Sequence, residues 1–371
     1  MGALRSSYEA AHSRWAGVGP YYAMFPVEFA DQVIAKHTEK GDTVLDPFAG
    51  RGTTVFSAAT QGRLGVGVEI NPVGWVYARA KLAPAEKELV VARFEELERV
   101  AKSYRDAAEE LPMFFHRCFT LKVREFLLAA REELDWKRTQ VDCTAMALLL
   151  VNMHGKRDAS LSNQLRQTKS MSPDYAITWW KKRDLQPPDV DPMEFMKKKL
   201  QWRYAKGRPA KTNSRVYLGD STHRLKDLIR KIGPRGIKPA RLLLTSPPYY
   251  AITNYHYDQW LRLWLLGGPP NALRAGGAVC GKFEHRQKYR ELLRCVFSLA
   301  SELLASDATV YVRTDKREIT YTTTTEVLRE VFPDKRLRSE VKPFNRPTQT
   351  RLFGDHAVKA GEVDLILSPS R

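Results

Sequence analysis

Residues 43–54 read Thr43-Val44-Leu45-Asp46-Pro47-Phe48-Ala49-Gly50-Arg51-Gly52-Thr53-Thr54, and their order decides the fold class. A short strand runs into an acid and a proline, then into a turn with two glycines, then directly into a helix expected over Thr54–Gln61. A strand feeding a helix through a Gly-rich turn is the first half of a βαβ unit. The second half follows at once, because Leu64-Gly65-Val66-Gly67-Val68 reads as another strand and ends on Glu69. The same rhythm returns after Asn213. Val216-Tyr217-Leu218 is a strand ending at Gly219-Asp220, Arg224–Ile232 a helix, and Ala240–Thr245 a strand. Gln287–Leu304 is a helix and Ala308–Arg313 a strand, and the runs around Arg338–Val341 and Val363–Ile366 could close the sheet as a hairpin. The chain is therefore α/β, built on a mostly parallel sheet.

Between these two blocks the character changes. Glu86–Glu110, Leu121–Leu134 and Cys143–Met153 have helical periodicity. A polar stretch with Pro173, Pro187, Pro188 and Pro192 comes next. Within residues 181–215 eleven Lys or Arg face four Asp or Glu, with Trp179, Trp180 and Trp202 interleaved or close by. The plainer reading of that segment is buried tryptophans under a solvated charged face. The expected organisation is one α/β domain, 1–84 with 213–371, interrupted by a mainly helical basic insertion, 85–212.

The whole chain has 371 residues and a net charge of +18. Clustered cations bind polyanions by releasing condensed counterions, so nucleic acid is the simplest partner. Cys118, Cys143, Cys280 and Cys295 form no C-x-x-C pair, so neither a disulfide framework nor a zinc or other metal site is expected. The apolar run Ala145–Val151 falls well short of the ~20 residues that span a bilayer. No signal peptide is read at the start, and the expectation is a cytoplasmic protein without a membrane partner.

Three strand ends carry groups suited to a nucleoside. Gly50 and Gly52 let the backbone approach a ligand at a helix N-terminus. No lysine follows Gly52, so this is not a phosphate-binding P-loop. Glu69 stands where a carboxylate can accept both ribose hydroxyls, and Asp220 where one can accept from an adenine amino group. Each acid alone is more simply a helix cap or a surface charge; three aligned strand ends make that reading weaker. A fourth strand, Ala240–Thr245, runs into Ser246-Pro247-Pro248-Tyr249. Consecutive prolines stop the sheet and expose a carbonyl, with a hydroxyl before them and an aromatic ring after, which suits gripping a flat ring that bears an exocyclic amine.

Asp46-Pro47-Phe48-Ala49-Gly50-x-Gly52 together with Thr245-Ser246-Pro247-Pro248-Tyr249 closely resembles the S-adenosylmethionine-dependent DNA amino-methyltransferases, over about 1–84 and 213–371. The resemblance implies a Rossmann-like seven-stranded methyltransferase sheet and S-adenosylmethionine as cofactor. It carries the cofactor-binding role onto the Asp46, Pro47, Phe48, Ala49, Gly50 and Gly52 turn with Thr53 and Thr54. Glu69 takes the ribose end, Ile70 after it joins the cofactor site, Gly219-Asp220-Ser221 supplies Asp220 and Ser221 at the adenine end, and Phe25 and Pro26 in Tyr21–Pro26 match the pre-sheet segment. Ser246, Pro247, Pro248 and Tyr249 become the catalytic turn. Serine there is typical of enzymes that act on cytosine N4, whereas Asp or Asn is the usual adenine signature. One departure is that the insertion splits the cofactor half itself, between Glu69 and Asp220.

The mechanism implied is positional. The Ser246 hydroxyl and Pro247 carbonyl accept N–H bonds and localise the amine lone pair, Tyr249 stacks on a base flipped out of double-stranded DNA, and no covalent enzyme intermediate forms. Lys181, Lys182, Lys197, Lys198 and Lys199, with Asn254 and Tyr255 behind the catalytic turn, are the expected DNA contacts. The stretch Tyr250–Trp264 reads equally well as a helix start packing Trp260 and Trp264 into the core. Adenine N6, an RNA amine, and a DNA-binding protein with a silent methyltransferase fold are the alternatives; a restriction or defence partner is a further possibility.

Overall fold

Neighbouring residues of a strand point to opposite faces of the sheet, so a strand covered on both sides reads as an unbroken apolar run. Leu45 packs with Val66, Leu243, Val310 and Leu365 on one face. Val44 packs with Ile34, Leu242, Leu244 and Ile366 on the other. The computed structural model describes residues 10–20, 26–167, 171–233, 236–250, 255–272, 285–342 and 361–370. Within these the chain folds as two units.

The first unit comprises Met24–Asn71, Thr212–Tyr255 and Gly276–Arg371. It holds a seven-stranded sheet of β1 (Thr43–Asp46), β2 (Leu64–Glu69), β3 (Arg215–Leu218), β4 (Ala240–Thr245), β5 (Leu304–Asp315), β6 (Lys335–Lys342) and β7 (Glu362–Pro369), in the order β3-β2-β1-β4-β5-β7-β6. β1 to β5 are parallel, with Leu45 paired to Val66 on one side and to Leu243 on the other. β6 and β7 pair antiparallel as the expected terminal hairpin, and β7, the last strand, lies between β6 and β5. This is a seven-stranded Rossmann-like sheet, as expected. Strand order reverses at β1, which places the switch-point crevice of an open α/β sheet at the carboxyl ends of β1 and β4.

The second unit comprises Met1–Ala23, Pro72–Lys211 and His256–Ala275, and among its described residues it contains helices and no strand. It takes in residues on both sides of 85–212. Its helix Gln140–Asn152 is buried on every side from Asp142 to Val151, which explains the apolar run there. Trp260 and Trp264 are buried in this unit, as the core reading of that stretch has it. The Pro-bearing stretch, which the sequence presents as irregular, holds two helices, Pro173–Lys181 and Pro192–Tyr204. Each proline occupies the first turn, where no backbone N–H is needed, and Asp191 caps the second helix by accepting from the Glu194 N–H at 2.9 Å. No helix among the described residues is long and apolar enough to cross a membrane.

Candidate active site at the strand ends

Because the order is β3-β2-β1-β4, one edge of the sheet carries Asp220, Glu69, the Asp46–Thr54 turn and Ser246 in a row. The turn after β1 is fastened to each neighbour. The Ala49 N–H donates to the Val68 carbonyl of β2 at 2.9 Å, and the Ser221 hydroxyl after β3 donates to the Pro47 carbonyl at 2.5 Å. On the β4 side the Thr245 hydroxyl donates to Asp46 Oδ1 at 2.6 Å, and the Thr54 hydroxyl to the Leu244 carbonyl at 3.3 Å. Gly50 and Gly52 have φ of 53° and 74°, the left-handed region that glycine enters without strain, and Gly52 passes the chain into the helix Thr53–Thr60.

Glu69 is buried, and both of its carboxylate oxygens are fixed by backbone. The Gly50 N–H donates to Oε2 at 2.6 Å and the Asn71 N–H to Oε1 at 2.8 Å. Burial pushes its pKa up to about 7; those two hydrogen bonds oppose the shift and the Asp46 charge adds to it. Asp46 is raised by burial to about 6, against the hydrogen bonds of Thr245, Thr54 and the Phe48 N–H. Two buried carboxyls with raised pKa values therefore stand on adjacent strand ends. The donor set fits a nucleoside cofactor. A carboxylate at a strand end stands beside a turn whose Gly50 and Gly52 lack Cβ atoms, and Ile70 next to it keeps 38 % of its surface exposed as an apolar cover for a ring.

At the end of β4, Pro247 is buried and Ser246, Pro248 and Tyr249 are half-buried. The Ser246 hydroxyl donates to the Tyr249 hydroxyl at 3.3 Å, which leaves the serine oxygen lone pairs as acceptors. Tyr250 packs against Tyr289 at 5.8 Å between ring centres. Asp220 Oδ1 accepts from the Thr222 N–H at 2.8 Å, so one oxygen of this carboxylate caps the helix Ser221–Ile229. Pro26 caps the helix Val27–His37, while Phe25, Asn254 and the side chain of Tyr255 lie outside the described residues.

The five lysines differ in setting. Lys181, Lys182 and Lys198 are exposed. Lys197 stands 3.5 Å from Glu95 and 4.0 Å from Glu194. Lys199 donates to the Ala159 carbonyl at 3.1 Å, and burial lowers its pKa. Trp180 is fully buried, whereas Trp202 is 45 % exposed with the Arg14 and Arg203 guanidiniums 4.8 and 5.0 Å from its ring centre. Burial raises the thiols of Cys118 and Cys143, the latter to about 12, so neither is a ready nucleophile. Among the described residues no cluster of three His, Cys, Asp or Glu is set to hold a metal.

Thr245 is the residue whose role the sequence does not disclose. A threonine at a strand end is ordinary, and only the pairing of β4 with β1 brings its hydroxyl to Asp46.

Residues 4–74 match a family model described as a DNA methylase of the N6/N4 class. Among similar curated proteins, the type II methyltransferase M.MjaII of Methanocaldococcus jannaschii is 32% identical over 66 residues, 18% of this chain and 12% of that protein. M.Cfr9I of Citrobacter freundii is 43% identical over 54 residues, 15% of this chain and 18% of that protein. M.BamHI of Bacillus amyloliquefaciens is 36% identical over 70 residues, 19% of this chain and 16% of that protein. The matches thus span under a fifth of each of these relatives. Among solved structures, TrmN from Thermus thermophilus overlays 97% of this chain and 52% of its own at 11% identity, with a TM-score of 0.36.

Proposed function

We propose, from the match of residues 4–74 to the N6/N4 DNA methylase family and the Ser246-Pro247-Pro248-Tyr249 run, that this chain methylates the N4 amine of a cytosine in double-stranded DNA. The observation that carries the proposal is the 2.6 Å bond from Thr245 to Asp46, which ties the Ser246-Pro247-Pro248-Tyr249 turn to the glycine turn beside it.

S-adenosylmethionine, when bound, supplies an electrophilic methyl group on a sulfonium centre. Glu69 would hold its ribose hydroxyls, Ile70 would cover the adenine, and the second oxygen of Asp220 would accept from the adenine amine. An amine conjugated to a ring is a poor nucleophile because its lone pair is delocalised. Ser246 and the Pro247 carbonyl accept its two N–H groups and favour a pyramidal nitrogen with the lone pair localised. Tyr249 takes the Ser246 proton as a hydrogen bond and lays its ring against the base. The base must leave the duplex, since its amine is otherwise paired and stacked. The methylated nitrogen releases its proton to water, so no general base is required.

Serine at position 246 supports cytosine over adenine. A cognate restriction partner belongs to the same proposal, in keeping with relatives named type II methyltransferases. Digestion of treated DNA to nucleosides and mass spectrometry tests the reading. N4-methylcytosine is expected; N6-methyladenine alone would overturn the base assignment, and methyl groups on RNA but not on duplex DNA would overturn the substrate class.

A further inference from the structure

In the helical unit, the helices Gln140–Asn152 and Pro173–Lys181 are joined by a long connection. Long connections inside a compact unit tend to be functional loops. The part Gly155–Gln164 is organised from within. Gly155 and Gln164 pair as an isolated bridge, and the Leu165 N–H donates to the Gly155 carbonyl at 2.8 Å. The Gln164 side chain accepts from the Arg157 N–H at 3.0 Å, and the Ser160 hydroxyl donates to the Lys156 carbonyl at 3.0 Å.

The base of the loop is anchored by groups that would be costly to bury unpaired. The Asn163 side-chain amide donates to the Arg117 and Leu185 carbonyls at 3.1 and 3.0 Å. Its backbone N–H donates to the Cys118 carbonyl at 2.7 Å, and the Trp180 indole to the Gln164 carbonyl at 2.8 Å. Asn163, Ser160 and Ser162 are all buried. So much buried polar bonding fixes one loop shape, and a hydrophobic core alone does not call for it.

What the loop presents is charge. Lys156 is exposed at the tip. Arg157 keeps 39% of its side chain exposed, with its guanidinium 3.7 Å from Asp158. Asp158 turns the chain there at φ 68°, a left-handed value that aspartate tolerates better than most residues. Lys199, from the helix Pro192–Tyr204, braces the tip through its bond to the Ala159 carbonyl. Cations held on a preformed loop lose less freedom on binding than cations on a flexible one.

We propose that Gly155–Gln164 is a preformed loop that grips the phosphate backbone of double-stranded DNA, with Lys156 and Arg157 touching the phosphates and Lys199 supporting them. It rests on the reading of the chain as a DNA methyltransferase. The test is binding of the full chain to a mixed-sequence DNA duplex over a range of salt, with thermal melting of each variant as a fold control. Lys156→Ala with Arg157→Ala should leave the melting point unchanged. The same pair should lower the slope of log affinity against log salt by about 2, one for each phosphate no longer neutralised. The charge-keeping pair Lys156→Arg with Arg157→Lys should retain the wild-type slope. An unchanged slope in the alanine pair overturns the loop assignment, and the mass-spectrometric assay on wild-type protein stands apart from that result. Wild-type protein that methylates duplex DNA but binds it without salt dependence also overturns the loop proposal alone.

Discussion

Thr245 and Ser246 are neighbours with separate tasks. Thr245 is buried and bonded to Asp46, whereas Ser246 is half-buried and turned to Tyr249. Replacing Thr245 by Val leaves a buried carboxylate oxygen short of a donor, at about 1–3 kcal/mol of stability. The expected outcome is a lower unfolding midpoint with a fall in kcat, and Thr245→Ser should restore both. Ser246→Ala should leave stability and cofactor affinity near wild type and lower kcat, by roughly tenfold to a hundredfold if the hydroxyl acts on the amine. Full activity in Ser246→Ala, measured in single turnover, would contradict the proposed mechanism. Glu69 offers a test by pH. Its folded pKa, near 7, lies above its ordinary value of 4.5, so between those values the folded unit keeps a proton that the unfolded chain has released. Its contribution to stability is therefore present at low pH and lost as pH rises through about 7. Binding of ribose hydroxyls needs the ionised acceptor, so affinity for S-adenosylhomocysteine should rise with pH through the same region, by up to about tenfold per unit. Calorimetry on Glu69→Gln should show weaker binding and a flatter profile.

At the scale of elements, the β5–β7 pair is joined by a buried ionic cluster. Arg313 donates to both oxygens of Asp364 at 2.7 and 2.9 Å, the Tyr311 hydroxyl donates to Asp364 at 2.8 Å, and the Phe29 ring lies under the guanidinium. Removing one member strands a buried charge, so Arg313→Met should cost about 3–5 kcal/mol. The double change Arg313→Met with Asp364→Leu should cost much less than the two single changes summed, as read by denaturant melts. None of this is legible in the sequence, because Arg313 and Asp364 meet only once β7 inserts beside β5. β1, β2 and β4 are legible, since each is a short apolar run closed by turn residues. The helices Pro173–Lys181 and Pro192–Tyr204 are not, because a proline that opens a helix looks, in sequence, like one that breaks it. The residues of the β1 turn and the Ser-Pro-Pro-Tyr run can be named from sequence. Their mutual fastening through Thr245 and Ser221 cannot, because it depends on strand order.

For the whole molecule, the two units divide the work in the proposed account. The sheet unit carries the acids and the Ser246-Pro247-Pro248-Tyr249 turn, proposed to grip the amine, at the carboxyl ends of its strands. The helical unit carries Lys181, Lys182 and Lys198 exposed, together with the internally hydrogen-bonded Gly155–Gln164 loop. If both hold DNA phosphates, charge removal in either should weaken binding without changing which base is methylated. Lys181→Ala with Lys182→Ala is expected to reduce the salt slope of duplex binding by about 2 and to leave the methylated base unaltered. An unchanged slope would return those lysines to an ordinary solvated face. The central claim concerns the chemistry at Ser246. Its most direct test is mass spectrometry of nucleosides from duplex DNA incubated with the protein and S-adenosylmethionine. N4-methylcytosine that is strongly reduced with Ser246→Ala is the predicted result; duplex DNA without N4-methylcytosine, or equal yields from both proteins, would contradict it.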